Sequence, residues 1–482
     1  MSLKDLILRN QDNEEIFILT ETDTFSYCDI IKQAVIYANL LKNNYNKRVN
    51  IGLILPNSVE YIEWLFAIIL SDNLAVPIFN QSSSNEIKNI IKSCDISLCI
   101  TSIDCNIFYD IAEECRVSYI NCFDNTLIKT HKGSGKKSLA PNNIRIMIST
   151  SGSTNNPKRV MLSDENIISN AEAISESLHY TNKEIFGIFL PLCFASANIS
   201  QLFTTLILGS TLALYNGIKM AGRMAKFIHE KKITTITLVP SLFKIIVEST
   251  DFILQHMPTL KTICFGGGPS CETTIECALK KFKGINLTHM YGQTEAATRI
   301  SHMCSKYMTW KKGSVGKPLK GIKVKLIPTD NHEQEICISG PNVTCGYYRQ
   351  KKLSNDTLKN GWLHTGDLGK IDNDGYLYIT GRKRNLIIYC GLNVYPEEIE
   401  NIINQISIVD DVIVYGKKDK IFGERICADI ILKKDTDSWE NIIITYCEKL
   451  LPNYKIPSEL KKVSTIERTN NGKIKRNHKI EC

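Results

Sequence analysis

The chain has 482 residues, enough for two or more domains, and its composition of 43% hydrophobic and 22% charged residues is that of an ordinary globular protein. The net charge of +8 is spread along the chain without dense basic stripes, which argues against a nucleic-acid binder and suits anionic substrates. The 17 cysteines include no CxxC pair, so neither a disulfide framework nor a zinc site is predicted. With no signal-peptide core and no long apolar run, we expect a cytoplasmic protein with free thiols and no membrane anchor.

Helices and strands alternate over roughly the first 290 residues. Apolar residues at helical spacing predict helices over residues 29–41, 59–70 and 86–92. Short apolar runs predict strands over residues 49–55, 75–79, 96–101, 144–148, 234–239 and 262–265. Strands separated by helices of this length predict an α/β domain with parallel sheets and flanking helices.

The pattern changes after about residue 310. Short strands are predicted at residues 323–327, 335–339 and 376–380, separated by Gly, Pro and Asp turns, which indicates a small β-barrel-like subdomain. A compact α+β section is predicted after Arg384. There Pro396 occupies a first helical position, and strands are predicted at residues 412–415 and 426–432.

Two motifs carry groups suited to a nucleotide. Residues 149–158, Ser-Thr-Ser-Gly-Ser-Thr-Asn-Asn-Pro-Lys, follow a predicted strand and offer hydroxyls and backbone N–H groups to phosphate, with a positive charge from Lys158. The order Pro-Lys-Arg excludes a Walker A loop. In residues 291–295, Tyr-Gly-Gln-Thr-Glu, the ring can stack on a base, the Thr hydroxyl can bind phosphate and the carboxylate can hold Mg²⁺. Each motif taken alone is also compatible with an ordinary surface turn.

Three further motifs follow in the second half of the chain. Residues 361–367, Gly-Trp-Leu-His-Thr-Gly-Asp, place a carboxylate on a tight turn, where it suits ribose hydroxyls. Residues 381–384, Gly-Arg-Lys-Arg, precede residues 391–400, Gly-Leu-Asn-Val-Tyr-Pro-Glu-Glu-Ile-Glu. Residues 470–476, Asn-Asn-Gly-Lys-Ile-Lys-Arg, present a lysine at a loop tip. A surface turn again accounts for each of these taken singly.

In this order and spacing the five motifs resemble the acyl-adenylate-forming superfamily, which includes acyl-CoA synthetases, peptide-synthetase adenylation domains and beetle luciferases. The resemblance runs from about residue 26 to residue 480. It implies a large N-terminal domain, residues 1–383, that binds AMP and the acyl substrate, and a small mobile C-terminal domain, residues 384–482, with its hinge at Arg384. It also implies an ATP-dependent ligase that converts a carboxylic acid to an acyl-adenylate and then passes the acyl group to a thiol.

The resemblance further implies a role for individual residues. Lys473 would bridge the substrate carboxylate and the α-phosphate, Glu295 would hold Mg²⁺, and Thr294 would bind the α-phosphate. The other nucleotide-binding residues implied are Thr150, Ser151, Gly152, Ser153, Thr154 and Lys158 in the phosphate loop, Asp367 and Arg382 at the ribose, Tyr291 against the adenine, and also Gly268 and Gly292. The implied acyl pocket comprises Phe194, Asn198, Gly266 and Gly267, and the implied thiol tunnel includes Gly391.

The pocket residue Phe194 bears on which acid is activated. Amino-acid-activating relatives keep an Asp near this position, and without it a buried α-ammonium group would lack a partner. An apolar aryl or a short-to-medium acyl carboxylate is therefore favoured, although Phe194 is also compatible with a simple packing role. Two departures, Asn where the family has Gly at residue 155 or 156 and Arg159 where it has Gly, put nucleotide affinity in question.

Three alternatives to an acid–CoA ligase remain open on the sequence. The acyl group can be loaded onto the phosphopantetheine arm of a carrier protein, because the same tunnel serves both thiols. The second alternative belongs to another functional class, a nucleotide-binding protein without catalytic activity. The presence of Lys473, Glu295 and Asp367 argues against it. A nucleic-acid binder lacks any recognition motif, and salt-sensitive binding would be its signature.

Overall fold

Three β-sheets organise the protein. The computed structural model describes residues 1–122, 127–128, 135–150, 158–329, 333–389, 392–419, 423–434 and 436–468. Their strands form a seven-stranded sheet, a 14-stranded sheet and a five-stranded sheet, named here the N-terminal, central and C-terminal sheets. Within these residues no helix is long and apolar enough to cross a membrane.

The N-terminal sheet has five parallel strands at its centre and one antiparallel strand at each edge. In spatial order its strands are Leu127–Ile128, Ser118–Asn121, Ile96–Thr101, Asn50–Ile54, Leu74–Pro77, Ile144–Thr150 and Lys158–Ser163. The last two form a hairpin whose connection is the predicted phosphate loop, and this hairpin pairs Thr150 with Lys158. The predicted phosphate loop therefore connects two strands at the edge of this sheet, and its residues 151–157 lie outside the described residues.

The central sheet joins a parallel half to an antiparallel half. In spatial order its strands are Lys323–Pro328, Gln334–Ser339, Trp362–Ile371, Leu377–Arg382, Ser314–Pro318, Ser301–Cys304, Asn286–Tyr291, Thr262–Gly266, Thr235–Leu238, Ile185–Ile188, Thr211–Leu214, Ile16–Leu19 and Thr24–Ser26, with Leu358–Lys359 beside Trp362–Ile371. The strands from Asn286–Tyr291 to Ile16–Leu19 are parallel.

The predicted barrel-like subdomain is an extension of this sheet. Because Ser301–Cys304 pairs antiparallel with Asn286–Tyr291, the hydrogen-bond ladder continues directly into the later strands. Among the described residues these strands form an open sheet and not a closed barrel. The predicted fold, an α/β N-terminal section followed by a small α+β section, is otherwise confirmed.

Helices cover the sheets, and several begin at serine caps. At Ser26 and Ser83 the serine hydroxyl accepts the backbone N–H of the third helical residue, whose carboxylate accepts the serine N–H in return. The α-helices are Leu3–Leu8, Tyr27–Asn44, Val59–Leu70, Ser84–Ser93, Cys105–Cys115, Asp164–Ser177, Ala195–Ala197, Thr204–Leu208, Ala221–Glu230, Pro240–Glu248, Glu272–Lys281, Ser305–Met308, Lys351–Thr357, Pro396–Ile403 and Trp439–Leu450. A π-helix, Asn198–Phe203, connects two of the short ones.

The C-terminal sheet carries the α+β section. Its strands are, in spatial order, Leu392–Val394, Ile387–Tyr389, Gly423–Leu432 and Val409–Asp419, with Glu459–Lys462 beside Gly423–Leu432. Pro396 opens the helix Pro396–Ile403 as predicted, and Ile399 and Ile403 on that helix are buried against the sheet. The turn Lys383–Asn385 links this section to the central sheet. The domain boundary between residues 383 and 384 stays a prediction that falls within this turn.

Candidate functional site

A cleft of about 2430 Å³ opens where the parallel strands of the central sheet end. Carboxyl ends of parallel strands are a common place for ligand sites in α/β proteins. The cleft extends to the C-terminal section, because the turn Lys383–Asn385 and the helix Pro396–Ile403 contribute to its wall. The predicted site residues that line the cleft are Phe194, Gly267, Gly268, Tyr291, Gly292, Asp367, Arg382 and Arg384.

Asp367 is the centre of a fully paired cluster, here called the Asp367 cluster (Tyr291, Thr365, Asp367 and Arg382). Its carboxylate is almost completely buried. Tyr291 Oη donates to Asp367 Oδ2 at 2.7 Å, and Arg382 Nε lies 2.7 Å from Asp367 Oδ1. The pairing follows from register, because Asp367 and Arg382 are direct partners on neighbouring strands. The Asp367 backbone N–H donates to Thr365 Oγ1 at 3.1 Å, which fixes the turn.

The charges in this cluster reinforce one another. Burial, and then the negative charge of Asp367, raise the pKa of the Tyr291 phenol well above its usual value, so the hydroxyl remains a donor. Asp367 also raises the pKa of Arg382. The carboxylate is thus held in one orientation while the Tyr291 ring forms part of the cleft wall.

Glu295 is the centre of a second cluster, the Glu295 cluster (Lys158, Glu295 and Tyr347). The Glu295 carboxyl is buried, and Tyr347 Oη donates to its Oε1 at 2.9 Å. Lys158 Nζ lies 5.4 Å from the centroid of the Tyr347 ring. Burial, and then Glu295, raise the pKa of the Tyr347 phenol. In the described part of the chain, Glu295 has no ion pair with a Lys or Arg within 4.0 Å.

The turn that carries Thr294 and Glu295 is tightly constrained. A Cβ atom on Gly292 would lie 1.6 Å from the Thr298 carbonyl oxygen, so only glycine fits there. At the other end of the turn, Thr298 has φ = +89°, which is unfavourable for a β-branched residue. Its Oγ1 lies 2.5 Å from Ser200 Oγ, a contact that ties the turn to the π-helix.

Several predicted residues of the nucleotide site cannot be placed. Thr150 ends its strand opposite Lys158. Ser151, Gly152, Ser153 and Thr154 lie outside the described residues, as do Gly391 and Lys473. Their roles stay predictions from the family resemblance.

Arg159 lies deeper than the sequence indicates. The expectation is a charge close to phosphate, yet the side chain is only 1% exposed, and its Nε donates to Cys94 Sγ at 3.1 Å. Among the described residues its Nη2 has no hydrogen-bond partner and the guanidinium has no carboxylate partner. The side chain packs against Cys94 and also contributes to the cleft wall.

Two residues of the predicted acyl pocket, Phe194 and Gly267, lie in the cleft wall. Phe194 is half-buried in the cleft wall and stacks on Phe79 with ring centroids 5.6 Å apart. Gly267 has φ = +91° and borders open space, whereas a Cβ on Gly268 would lie 3.6 Å from the Pro240 ring. Phe194 and both glycines line the same cleft.

Two residues do not belong to the wall of the described cleft. A Cβ on Gly266 would lie 2.3 Å from the Met290 carbonyl oxygen, so this glycine serves strand packing. Asn198 is fully buried, and its Nδ2 donates to Tyr61 Oη at 3.1 Å and to the Leu192 carbonyl at 3.0 Å. Because its amide N–H groups donate to these two atoms, Asn198 holds the segment that follows Phe194 in place.

Sequence reasoning missed three residues of the site. Phe79 is the last residue of a predicted strand, and strand ends commonly carry site residues. His289 lines the cleft and stacks on Phe265 at 4.9 Å, and burial lowers its pKa to about 4. Tyr347 contacts Glu295 from a distant part of the chain, and no local motif marks it.

Comparisons with known proteins place the chain in a family. The sequence profile of AMP-binding enzymes matches residues 7–348, and that of the AMP-binding enzyme C-terminal domain matches residues 398–473. The chain belongs to the AMP-binding enzyme family. The predicted superfamily of this AMP-binding enzyme is confirmed. The predicted reaction class, ATP-dependent ligation of an acid to a thiol, is also confirmed.

The relatives of this AMP-binding enzyme include several acid–CoA ligases. It is 28% identical over 460 residues to a 2-succinylbenzoate–CoA ligase of Oceanobacillus iheyensis, covering 94% of each chain. It is 32% identical over 328 residues to that of Listeria monocytogenes, covering 68% of each.

A solved structure agrees with these relatives. The o-succinylbenzoate CoA synthetase of Bacillus subtilis in complex with its acyl-adenylate intermediate superposes with a TM-score of 0.88 at 25% identity, covering 98% of this chain and 97% of that one. Another structure of that enzyme contains ATP and a magnesium ion, in agreement with the predicted cofactors.

Proposed function

We propose that this AMP-binding enzyme joins an apolar aryl or short-to-medium acyl carboxylic acid to CoA through an acyl-adenylate. The observation that carries the proposal is the Asp367 cluster, which presents a fixed buried carboxylate and a tyrosine ring to the same cleft that Phe194 lines. A carboxylate held by Tyr291 and Arg382 suits ribose hydroxyls, since their O–H groups donate to its remaining lone pairs. The Tyr291 ring would lie against the adenine.

The Glu295 cluster fits a bound cation. Glu295 is buried and, among the described residues, has no Lys or Arg within ion-pair distance, and such a carboxylate favours a metal ion. When bound there, Mg²⁺ would supply positive charge to the triphosphate. Tyr347 would hold the carboxylate in place, and Lys158 would add charge on the same side.

The reaction has two balanced steps. In the first, a substrate carboxylate oxygen bonds to the α-phosphorus as the bond to the β-phosphate oxygen breaks, and pyrophosphate leaves. We assign Lys473 to this step, because two anions must approach each other and a positive charge between them lowers the barrier. In the second, a thiol sulfur attacks the acyl carbon, AMP leaves, and the thiol proton passes to solvent. Thr294 would contact the α-phosphate in both steps.

The cleft wall around Phe194 supports an apolar acid. Phe79 and Phe194 present stacked rings in the cleft wall, and the space beside Gly267 is open. The relatives named 2-succinylbenzoate–CoA ligases act on an acid that contains an aromatic ring and two carboxylates, which favours an aryl acid. Phe194 has no carboxylate to pair with an α-ammonium group, in keeping with the argument against α-amino acids.

We propose that the acceptor thiol is CoA and that the protein is located in the cytoplasm. The relatives named as CoA ligases favour CoA over a carrier-protein arm. The cysteines that the structure describes are all free thiols, which suits a reducing compartment.

ATP–pyrophosphate exchange across a panel of aryl, fatty and amino acids tests the proposal. Exchange with aryl or fatty acids supports it, whereas exchange confined to amino acids contradicts the substrate class. Thioester formation with CoA and with a holo carrier protein then identifies the thiol, and product formed only on the carrier would exclude CoA.

The assignment of Lys473 has its own test. Lys473→Ala should lower adenylation by at least about 100-fold, because it removes the charge between the two anions. Thioester formation from supplied acyl-AMP should be retained, since Lys473 acts only in the first step. Equal loss of both activities would contradict the assignment.

A further inference from the structure

Three potential metal ligands meet on the antiparallel half of the central sheet, outside the cleft. Cys337 Sγ lies 3.4 Å from His364 Nδ1, and His364 Nδ1 lies 3.2 Å from Glu335 Oε2. All three ligand atoms lie within 4.8 Å of one another. Cys337 and His364 are direct partners in the register of two neighbouring strands, and Glu335 is two residues from Cys337, on the same face.

These distances match a tetrahedral zinc site. Zinc bonds of about 2.0–2.3 Å at tetrahedral angles place neighbouring ligand atoms about 3.3–3.7 Å apart. The separations of 3.4 Å and 3.2 Å are close to these values, and the remaining pair of ligand atoms lies within 4.8 Å. Three protein ligands leave the fourth position to water.

The surroundings support the ligand set. The Gly366 backbone N–H donates to Glu335 Oε1 at 3.1 Å, which orients the carboxylate as outer-shell hydrogen bonds do in metal sites. Glu335 and Cys337 are buried, whereas the His364 side chain is 18% exposed and leaves a path to solvent. A thiolate, an imidazole and a carboxylate together favour Zn²⁺ over Mg²⁺ or Ca²⁺.

We propose that Glu335, Cys337 and His364 bind one Zn²⁺ or a similar borderline divalent cation, with water as fourth ligand. The sequence gives no such indication, because the ligands come from two strands and form no CxxC or HxxxH spacing. The site lies next to the linking turn, since Lys383 Nζ lies 3.6 Å from Glu335 Oε2. A bound cation would displace this ammonium group and so change a contact of that turn.

The thiol must lose its proton when the metal binds. Burial, and then Glu335, raise the pKa of Cys337 to about 12, while Lys325, Lys383 and Lys359 act in the opposite direction. A metal-bound Cys337 would be a thiolate, and its proton would pass to solvent.

Titration of the full-length protein with Co²⁺ tests the proposal directly. A thiolate ligand gives a charge-transfer band in the near ultraviolet, and tetrahedral Co²⁺ gives visible bands. We expect both to saturate at one equivalent, to disappear on addition of Zn²⁺ and to persist in Mg²⁺. Absence of a thiolate band would overturn the proposal.

Substitutions of the proposed ligands show which residues produce the Co²⁺ bands. Cys337→Ala and His364→Gln should each abolish the bands, with circular dichroism confirming that each variant is folded. The matched control is Cys427→Ala, because Cys427 is also buried, and its Sγ lies 3.7 Å from a carboxylate oxygen of Glu459. Bands that survive in Cys337→Ala, or vanish in Cys427→Ala, would overturn the assignment.

Lys383→Met gives an independent readout. Removing a competing cation should raise the metal affinity by about threefold to tenfold, the range for one partly exposed charge. An affinity that is unchanged or lowered would contradict Glu335 as a ligand.

Discussion

The Asp367 and Glu295 clusters differ in how their charges are balanced. In the Asp367 cluster both carboxylate oxygens have a partner, Arg382 on one and Tyr291 on the other. In the Glu295 cluster the buried carboxylate has one hydroxyl donor, and the described residues supply no cation within ion-pair distance. A buried charge is stabilised only when it is paired. The first cluster is thus complete before ligand binds, whereas the second requires a ligand to complete it.

The largest expected effect comes from Glu295. Glu295→Gln should reduce the adenylation rate by about 100-fold or more and raise the Mg²⁺ concentration needed for half-maximal rate, because it removes the charge that would hold the cation. Pyrophosphate exchange measured against Mg²⁺ checks this. Tyr347→Phe keeps the carboxylate and should cost less than about tenfold, the value of one hydrogen bond. An unchanged Mg²⁺ dependence in Glu295→Gln would remove the contrast between the clusters.

A smaller effect is expected at Asp367. Asp367→Asn weakens the contact to Arg382 and should raise the KM for ATP by about 10- to 100-fold, in line with lost charge-assisted hydrogen bonds. The control is Asp419→Asn, since Asp419 Oδ2 pairs with Arg425 Nε at 2.8 Å in the C-terminal sheet. That control should leave the KM unchanged. Equal KM values for both variants would mean that Asp367 does not contact the nucleotide.

The buried charge of Arg159 extends this comparison of charge balance to the free energy of unfolding. Arg159→Met should raise the free energy of unfolding by about 1–2 kcal/mol without nucleotide, because a buried guanidinium lacking a described carboxylate partner is replaced by an apolar chain. Urea unfolding measures this change. Arg145→Met should act in the opposite direction, as Arg145 Nε pairs with Asp164 Oδ2 at 2.9 Å. If Arg159→Met is destabilising, the guanidinium is compensated in the folded chain.

The last effect concerns acid. Burial lowers the pKa of His289 to about 4, so the unfolded chain binds this proton first as pH falls below about 6.5. The stability that comes from keeping His289 neutral is present above about pH 6.5 and is lost progressively towards pH 4, by about 3 kcal/mol. His289→Gln should flatten this loss in unfolding experiments at several pH values. Replacement of the exposed His229 by Gln should leave the slope as it is.

Local patterns predict much of the fold. The helix Val59–Leu70 and the strand Ile96–Thr101 have the predicted bounds, because apolar periodicity, caps and turns lie within a few residues of each other. The strand Lys158–Ser163 and the π-helix Asn198–Phe203 were not predicted. The first depends on pairing across a loop, and the second inserts residues without a sequence signal.

Only the parts of the site that lie within sequence motifs could be predicted. Tyr291, Asp367 and Arg382 belong to three motifs, and the structure brings them together as the resemblance implies. The partner of Glu295, Tyr347, lies 52 residues away and outside the named strands and helices, so no local pattern predicts the contact. The pairing of Cys337 with His364 depends on the register between strands, which cannot be obtained from one sequence.

Thr298 limits how far the enzyme can be made more robust by design. Its backbone at φ = +89° carries a conformational cost of about 1–3 kcal/mol, which a glycine would largely relieve. The same residue supplies the carbonyl that crowds Gly292 and the hydroxyl next to Ser200. A Thr298→Gly variant would therefore gain thermal stability, but the turn would be held less accurately in position. Screens that select on melting temperature alone would favour such a change, and turnover would decline unnoticed.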